Sequence, residues 1–339
     1  MTVAGQNNNN TSLGNARSAK EDEFYTQLPD IERELKHYRE HFRDKVVYLN
    51  CDDPRVSNFF HYFSFNFEKL GLKKLIATCY KNQEVDLFSR NDSEQAIWLE
   101  YEGDTDGNGV PDLNEIGIQK LNGDGDFRSA ESIELLKQAD IVVTNPPFSL
   151  FREYVAQLLE YDKKFVIIGS TNAISYKEIF PLMKDDRVWL GYGKGDMSFR
   201  VPDYYEERKT RFWVDENGDK WRSLGNARWF TNLDITKRHE DLILYKTYDP
   251  VEYPPFDFYD AINVNRLADI PADYFGVMGV PITFPDSHNP NQFEIVDANT
   301  VRRTESVPKK SHGLVKDKEA AVGGKATYVR ILIRRRSAP

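Results

Sequence analysis

Asn145-Pro146-Pro147-Phe148 closes the apolar run Ile141-Val142-Val143-Thr144 and precedes an amphipathic stretch. The four residues therefore stand at the end of a predicted strand. A strand that is apolar on both faces belongs to a parallel α/β sheet, where ligand sites gather at the carboxyl ends of strands. Asn145 offers an amide oxygen as acceptor, and Pro146 offers a carbonyl beside it, because the rigid Pro-Pro step fixes the backbone direction. Two acceptors would converge on one amine. Phe148 adds a flat apolar face for a planar base, so the set suits an exocyclic NH2. Asn-Pro-Pro also makes an ordinary turn after a strand, which is the competing reading.

The surroundings favour the chemical reading. The tetrapeptide resembles the catalytic Asn/Asp-Pro-Pro-Tyr/Phe signature of S-adenosylmethionine-dependent amino-methyltransferases. The longer string DIVVTNPPFSLFREYVAQLLEYDKKFVIIG at 140–169 is similar to the EcoRI-type adenine-N6 DNA methyltransferases. The likeness extends to EDEFYTQ at 21–27, DKVVYLNCDDPRVSNFF at 44–60, GDGDFRSAESI at 123–133, WFTNLD at 229–234 and GVMGVPITF at 276–284. It implies methyl transfer from S-adenosylmethionine to N6 of an adenine swung out of duplex DNA, at a GAATTC-like site in a restriction-modification system. Asn145, Pro146, Pro147 and Phe148 would be the catalytic residues. Two other readings stay open: methylation of RNA or of a protein glutamine amide, and a DNA-binding protein that has kept the fold without activity.

The elements that must hold these residues alternate. Helical spacing over 31–42, a strand at 46–50, a helix over 56–70 and a strand at 74–80 are followed by a polar excursion and an apolar piece at 116–121. A helix at 130–138, the strand carrying the tetrapeptide, a helix at 149–160 and a strand at 164–169 come next, with further strands at 188–191 and 228–233. The predicted fold is α/β, a doubly wound and mainly parallel sheet of the S-adenosylmethionine-dependent methyltransferase type. We divide the chain into an Asn- and Ser-rich disordered tail at 1–19, a methyltransferase domain at 20–236, and a loop-rich target-recognition region at 237–339.

Cofactor candidates follow the strand ends. After the first strand, Asn50-Cys51-Asp52-Asp53-Pro54 lacks the glycines usual in such a turn, although it matches the EcoRI type. Asp52 and Asp53 are both candidates to hold an ammonium group, and either also suits a helix cap. Tyr80, after the second strand, is a candidate to stack on the cofactor's adenine. In the GDGDF segment the resemblance assigns Asp126 to the adenine amino group and Phe127 to packing beside it. Tyr25 and Thr26 precede the first strand as in the subgroup whose N-terminus closes over the cofactor, with Thr26 donating to a carboxylate.

The net charge is -9 over 339 residues, unexpected for a DNA enzyme, since phosphates need Lys and Arg. Distribution resolves this. Eleven basic residues against three acidic ones lie between 301 and 339, and Arg334, Arg335 and Arg336 are the DNA-contact candidates. Their segment, TYVRILIRRR, alternates like an edge strand. With two cysteines, no apolar run near the ~20 residues of a membrane span and no signal-peptide block, we expect a cytoplasmic protein, and separately a monomer. It would act on double-stranded DNA, away from membranes, and would not require a restriction endonuclease partner.

Residues 104–115, DTDGNGVPDLNE, fit the spacing of an EF-hand calcium loop. The flanks read as a strand and a short Gly-bounded piece, so we expect a polar hairpin turn and no metal. His239, His288 and His312 have no ligand spacing. Trp213 and Trp221 flank Glu216-Asn217-Gly218-Asp219, which reads as a hairpin.

Overall fold

A computed structural model describes residues 24–52, 54, 57–79, 96–112, 115–299 and 321–336. These residues form two compact units. One comprises the described residues up to Thr171 together with Gly193–Leu233, and the other comprises Asn172–Tyr192 with the described residues from Asp234 onward. Among the described residues no helix is long and apolar enough to cross a membrane.

The first unit is built on a mixed sheet. Its strands are β1 (Val46–Leu49), β2 (Lys74–Thr78), β3 (Ile97–Tyr101), β4 (Gly117–Lys120), β5 (Ile141–Thr144) and β6 (Lys164–Ser170). They lie in the order β4-β3-β2-β1-β5-β6, and Ala227–Thr231 follows β6. The β2-β1-β5-β6 core is parallel. β3, β4 and Ala227–Thr231 join antiparallel, so the sheet is more mixed than the alternation of elements predicts. Burial explains the division. β1 and β5 are buried at every position, as parallel strands covered on both faces must be. β3 buries alternate residues and β4 none, the pattern of a sheet that runs out into solvent.

The single helices expected at 31–42 and 56–70 are each broken in two. Leu28–Leu35, Arg39–Phe42 and the turn between them still bury Ile31, Leu35, Tyr38 and Phe42. Asn58–Phe65 and Phe67–Leu70 part at Asn66, whose amide donates to the Tyr62 carbonyl, and the second piece ends on Gly71 with φ of 64°. Ser129 caps the helix Ala130–Gln138 by accepting from the Ser132 N–H. Phe151–Glu160 follows the tetrapeptide through a single 3-10 turn. A small antiparallel sheet of Met197–Val201, Lys220–Leu224 and Phe212–Val214 completes the unit, with Trp213 and Trp221 paired across the hairpin and stacked at 6.1 Å.

The second unit is less irregular than the sequence suggests. Irregular chain from Asp234 leads into a four-stranded sheet whose order is Ile262–Asn263, Val277–Pro281, Arg330–Arg335, Phe293–Asn299. Its core holds Phe256, Tyr259, Ala261, Val277, Val296 and Leu332. Arg330–Arg335 is an internal strand, contrary to the expected edge, because Ile331, Leu332 and Ile333 are all buried and both neighbours pair with it.

Candidate active site

β1 stands between β2 and β5, so the chain leaves it toward one side of the sheet and returns on the other. The carboxyl ends of β1 and β5 thus border the crevice that such a reversal opens. Asn50 follows β1 and Asn145 follows β5. The two ends are tied together, because the Thr144 hydroxyl donates to the Asn50 carbonyl. A recess there is lined by Leu49, Asn50, Asp52, Ser57, Phe59 and Thr144.

Asn145 is buried, and its amide N–H donates to the Phe24 carbonyl at 2.7 Å. Its Oδ1 is also buried and has no hydrogen-bond partner among the described residues. Leaving such an acceptor unmet costs about 1–3 kcal/mol, so Oδ1 is available to a donor. Pro146 is buried, Pro147 is half-buried, and the half-buried Phe148 opens the 3-10 turn with its ring 5.8 Å from that of Phe24.

The turn after β1 takes a left-handed residue without a glycine, since Cys51 has φ of 83°. That conformation is strained for a side-chain-bearing residue. Asn50 is clamped: Tyr154 donates its hydroxyl to Oδ1, and the Cys51 thiol approaches the same atom at 3.7 Å. Burial pushes Tyr154 far up and the Cys51 thiol up as well, so both stay protonated. Asp52 accepts from Ser57, the residue that opens the helix Asn58–Phe65. Asp53 and Tyr80 lie outside the described residues.

Tyr25 forms an antiparallel bridge with Arg200. Thr26 is buried, its carbonyl accepts from the Asn58 amide, and its Oγ1 has no hydrogen-bond partner among the described residues. Asp126 is held by Arg128 through two nitrogens, at 2.9 and 2.7 Å. Burial pushes the Asp126 carboxyl up, but the Arg128 guanidinium and backbone N–H outweigh it and hold it below the usual range. The GDGDF loop needs its second glycine. Gly125 has φ of 78°, and a Cβ there would strike the Cys79 carbonyl at the end of the second strand. Phe127 packs edge-on against Tyr154 at 5.0 Å. A continuous chain of contacts therefore runs from Phe127 through Tyr154 and Asn50 to Thr144, the residue before Asn145.

Sequence reasoning missed Tyr154, Arg128 and Asn58. Tyr154 sits on the core face of its helix with Phe151, Val155 and Leu158, so its spacing is that of any packing residue. Only the last residue of the DFR triplet, Arg128 beside Asp126, carried a signal, as a charge pair two positions apart.

The DNA-contact candidates lie in the second unit, built into its sheet. Arg334 pairs with Glu294 at 3.0 Å, Arg335 lies 5.2 Å from the Phe275 ring, and Arg336 donates to the Pro290 carbonyl. Most of the other C-terminal basic residues, those at 302–318, lie outside the described residues. The calcium-like loop joins β3 to β4, which pair antiparallel, so it is a hairpin connection between strands. Oxygen atoms of Asp104, Asp106 and Glu115 come within 4.8 Å of one another. Several are engaged with the loop's own backbone, as when Asp104 accepts from Gly107 and Gly109 at 2.7 Å each. His288 is bonded to the Phe293 carbonyl and His239 to Asp234, while His312 lies outside the described residues.

The family model described as adenine-specific methyltransferase EcoRI matches residues 12–336. Type II methyltransferase M.EcoRI of Escherichia coli is 50% identical, covering 97% of this chain and 98% of its own. M.MgeORF184P of Mycoplasma genitalium is 40% identical over 94% and 97%, and M.MpnI of Mycoplasma pneumoniae is 38% identical over 95% and 97%. No solved structure is matched.

Proposed function

The chain belongs to the EcoRI family of adenine-specific methyltransferases, and on that premise we propose how its residues carry out the transfer. The substrate is an adenine in duplex DNA, turned out of the stack at a cost of a few kcal/mol. Phe148 stacks on the extruded base. Asn145 Oδ1 and the Pro146 carbonyl accept from the two N6 hydrogens, which directs the nitrogen lone pair outward and stabilises the positive charge that grows on N6. The amine attacks directly, so the chain supplies positioning and electrostatics and no covalent intermediate.

The donor is S-adenosylmethionine, which supplies an electrophilic methyl group on a sulfonium. The residues present suit it. The orphaned Thr26 hydroxyl is free to donate to its carboxylate. Asn50 and one of Asp52 and Asp53 would take its ammonium group. Asp126, Phe127, Tyr80 and Tyr25 would surround its adenine and ribose. The proposal includes a cytoplasmic monomer, a GAATTC-like site, phosphate contacts from Arg334, Arg335 and Arg336, and turnover that needs no restriction endonuclease.

The buried, unpartnered Oδ1 of Asn145 at the strand end carries this reading. The test is to incubate the protein with plasmid and labelled S-adenosylmethionine, then sequence for methylated adenines. Asn145→Ala should bind the cofactor normally and lose at least ~100-fold in kcat. Near-normal turnover would remove Asn145 from the reaction.

A further inference from the structure

An asparagine amide has two ends of nearly equal shape and opposite chemistry. Presented by Oδ1 it accepts from an amine; flipped, it offers only hydrogens and repels one. The reaction proposed above therefore needs something that sets the end. In this chain it is a main-chain carbonyl 121 positions away in sequence, Phe24 O, which meets the Asn145 Nδ2 at 2.7 Å. A carbonyl only accepts, so the NH2 end must face it and Oδ1 must face away. Flipping the amide would bring two oxygens together in a buried place and leave the NH2 without this acceptor.

Phe24 O can do this only if the backbone carrying it is fixed, and it is fixed from several directions. The Phe24 ring is buried against Phe148 at 5.8 Å, Phe199 at 5.5 Å and Tyr205 at 6.2 Å. The next residue, Tyr25, exchanges hydrogen bonds with Arg200, Tyr25 N–H to the Arg200 carbonyl at 2.8 Å and the return bond at 3.3 Å. After that, the Thr26 carbonyl takes the Asn58 amide at 2.8 Å. Side-chain packing, a strand bridge and a helix residue thus all pin the same short segment.

We propose that Phe24 is a positioning residue of the methyl-transfer site: its carbonyl selects the acceptor end of Asn145, and its ring anchors that carbonyl. The inference rests on the reading of Asn145 as the N6 acceptor. It makes docking of the segment at 24–26 a condition of turnover, whatever that segment does for cofactor binding.

The experiment compares Asn145→Ala, Asn145→Asp, Phe24→Ala and Phe24→Leu by kcat, KM for DNA and for S-adenosylmethionine, and thermal midpoint. Near-normal kcat for Asn145→Ala would defeat the underlying reading, separately from this inference. With that variant crippled, Asn145→Asp is the decisive arm. Ionised, its carboxylate keeps the shape and an acceptor for the amine but has no hydrogen for Phe24 O, so rates are compared at the alkaline end of the pH range, where the buried acid form, which could donate, is lost. We expect it to turn over no more than threefold faster than Asn145→Ala. A rate more than threefold above that baseline overturns the proposal, because it shows that the end facing Phe24 does not need to donate. Phe24→Ala should lower kcat at least tenfold with both KM values within threefold, and Phe24→Leu should restore most of the loss. An unchanged kcat in Phe24→Ala also overturns it. Should Phe24→Ala fail to fold, the Asn145→Asp measurement still decides.

Discussion

At the scale of single residues, the site depends on buried polar groups whose partners are few and specific. Tyr154 shows the principle. Its hydroxyl, kept protonated by burial, meets Asn50 Oδ1 at the end of β1, and its ring supports Phe127. Tyr154→Phe keeps the ring and removes the bond, which leaves Asn50 less constrained at a cost of about 1–3 kcal/mol. Isothermal titration should read this as a tenfold or larger rise in Kd for S-adenosylmethionine, with little change in kcat at saturation. An unchanged Kd would show that the orientation of Asn50 is irrelevant to the cofactor.

At the scale of elements, the calcium-like loop can be tested against its place in the sheet. Residues 104–115 have the oxygen spacing of a calcium loop but connect two antiparallel strands, and Asp104 spends its carboxylate on the backbone. The Gly109 N–H, opposed by desolvation, leads the hydrogen bonds that hold that carboxyl below the usual range. If the loop is only a turn, Asp104→Ala combined with Asp106→Ala should leave methylation unchanged with or without chelator. A chelator-dependent fall in thermal midpoint that the double variant abolishes would show bound metal. In the second unit, His288 lies beside Phe293–Asn299, and burial pushes its imidazole below the ordinary ~6.5, outweighing its bond to the Phe293 carbonyl. A depressed folded value means the neutral ring's contribution is complete above ~6.5 and is lost as pH falls toward and through the lower folded value. Urea midpoints should therefore drop more steeply on acidification in the wild type than in His288→Gln. Parallel curves would refute the assignment.

At the scale of the whole molecule, an acidic chain must still hold a polyanion. The C-terminal basic residues are the natural answer, and Arg334, Arg335 and Arg336 are parts of a folded sheet and its margin. If they neutralise phosphates, log K for DNA falls with log salt by about 0.9 for each contact. Replacing all three with Gln should flatten that slope and weaken cognate and random duplexes alike, because phosphate contacts position without specifying sequence. Since Arg334 is paired with Glu294, the thermal midpoint should be followed in the same samples. An unchanged slope would locate duplex binding elsewhere, among the irregular chain after Lys237 or the basic residues at 302–318.

The sequence by itself determined the family, the strand that ends in Asn-Pro-Pro-Phe, and the buried parallel core, because those depend on local strings and on runs that are apolar at every position. It also exposed the hairpin nature of the calcium-like loop through its flanks. The antiparallel additions to the sheet and the internal position of Arg330–Arg335 were not legible, since pairing partners far apart in sequence decide them. The same holds for the site. Residue types marked Asn145 as a candidate, but the contacts that hold its amide and that of Asn50, Phe24 O and the Tyr154 hydroxyl, lie 121 and 104 positions away. Hydrogen-bond polarity between distant residues leaves no trace in spacing, so only the tertiary structure decided it.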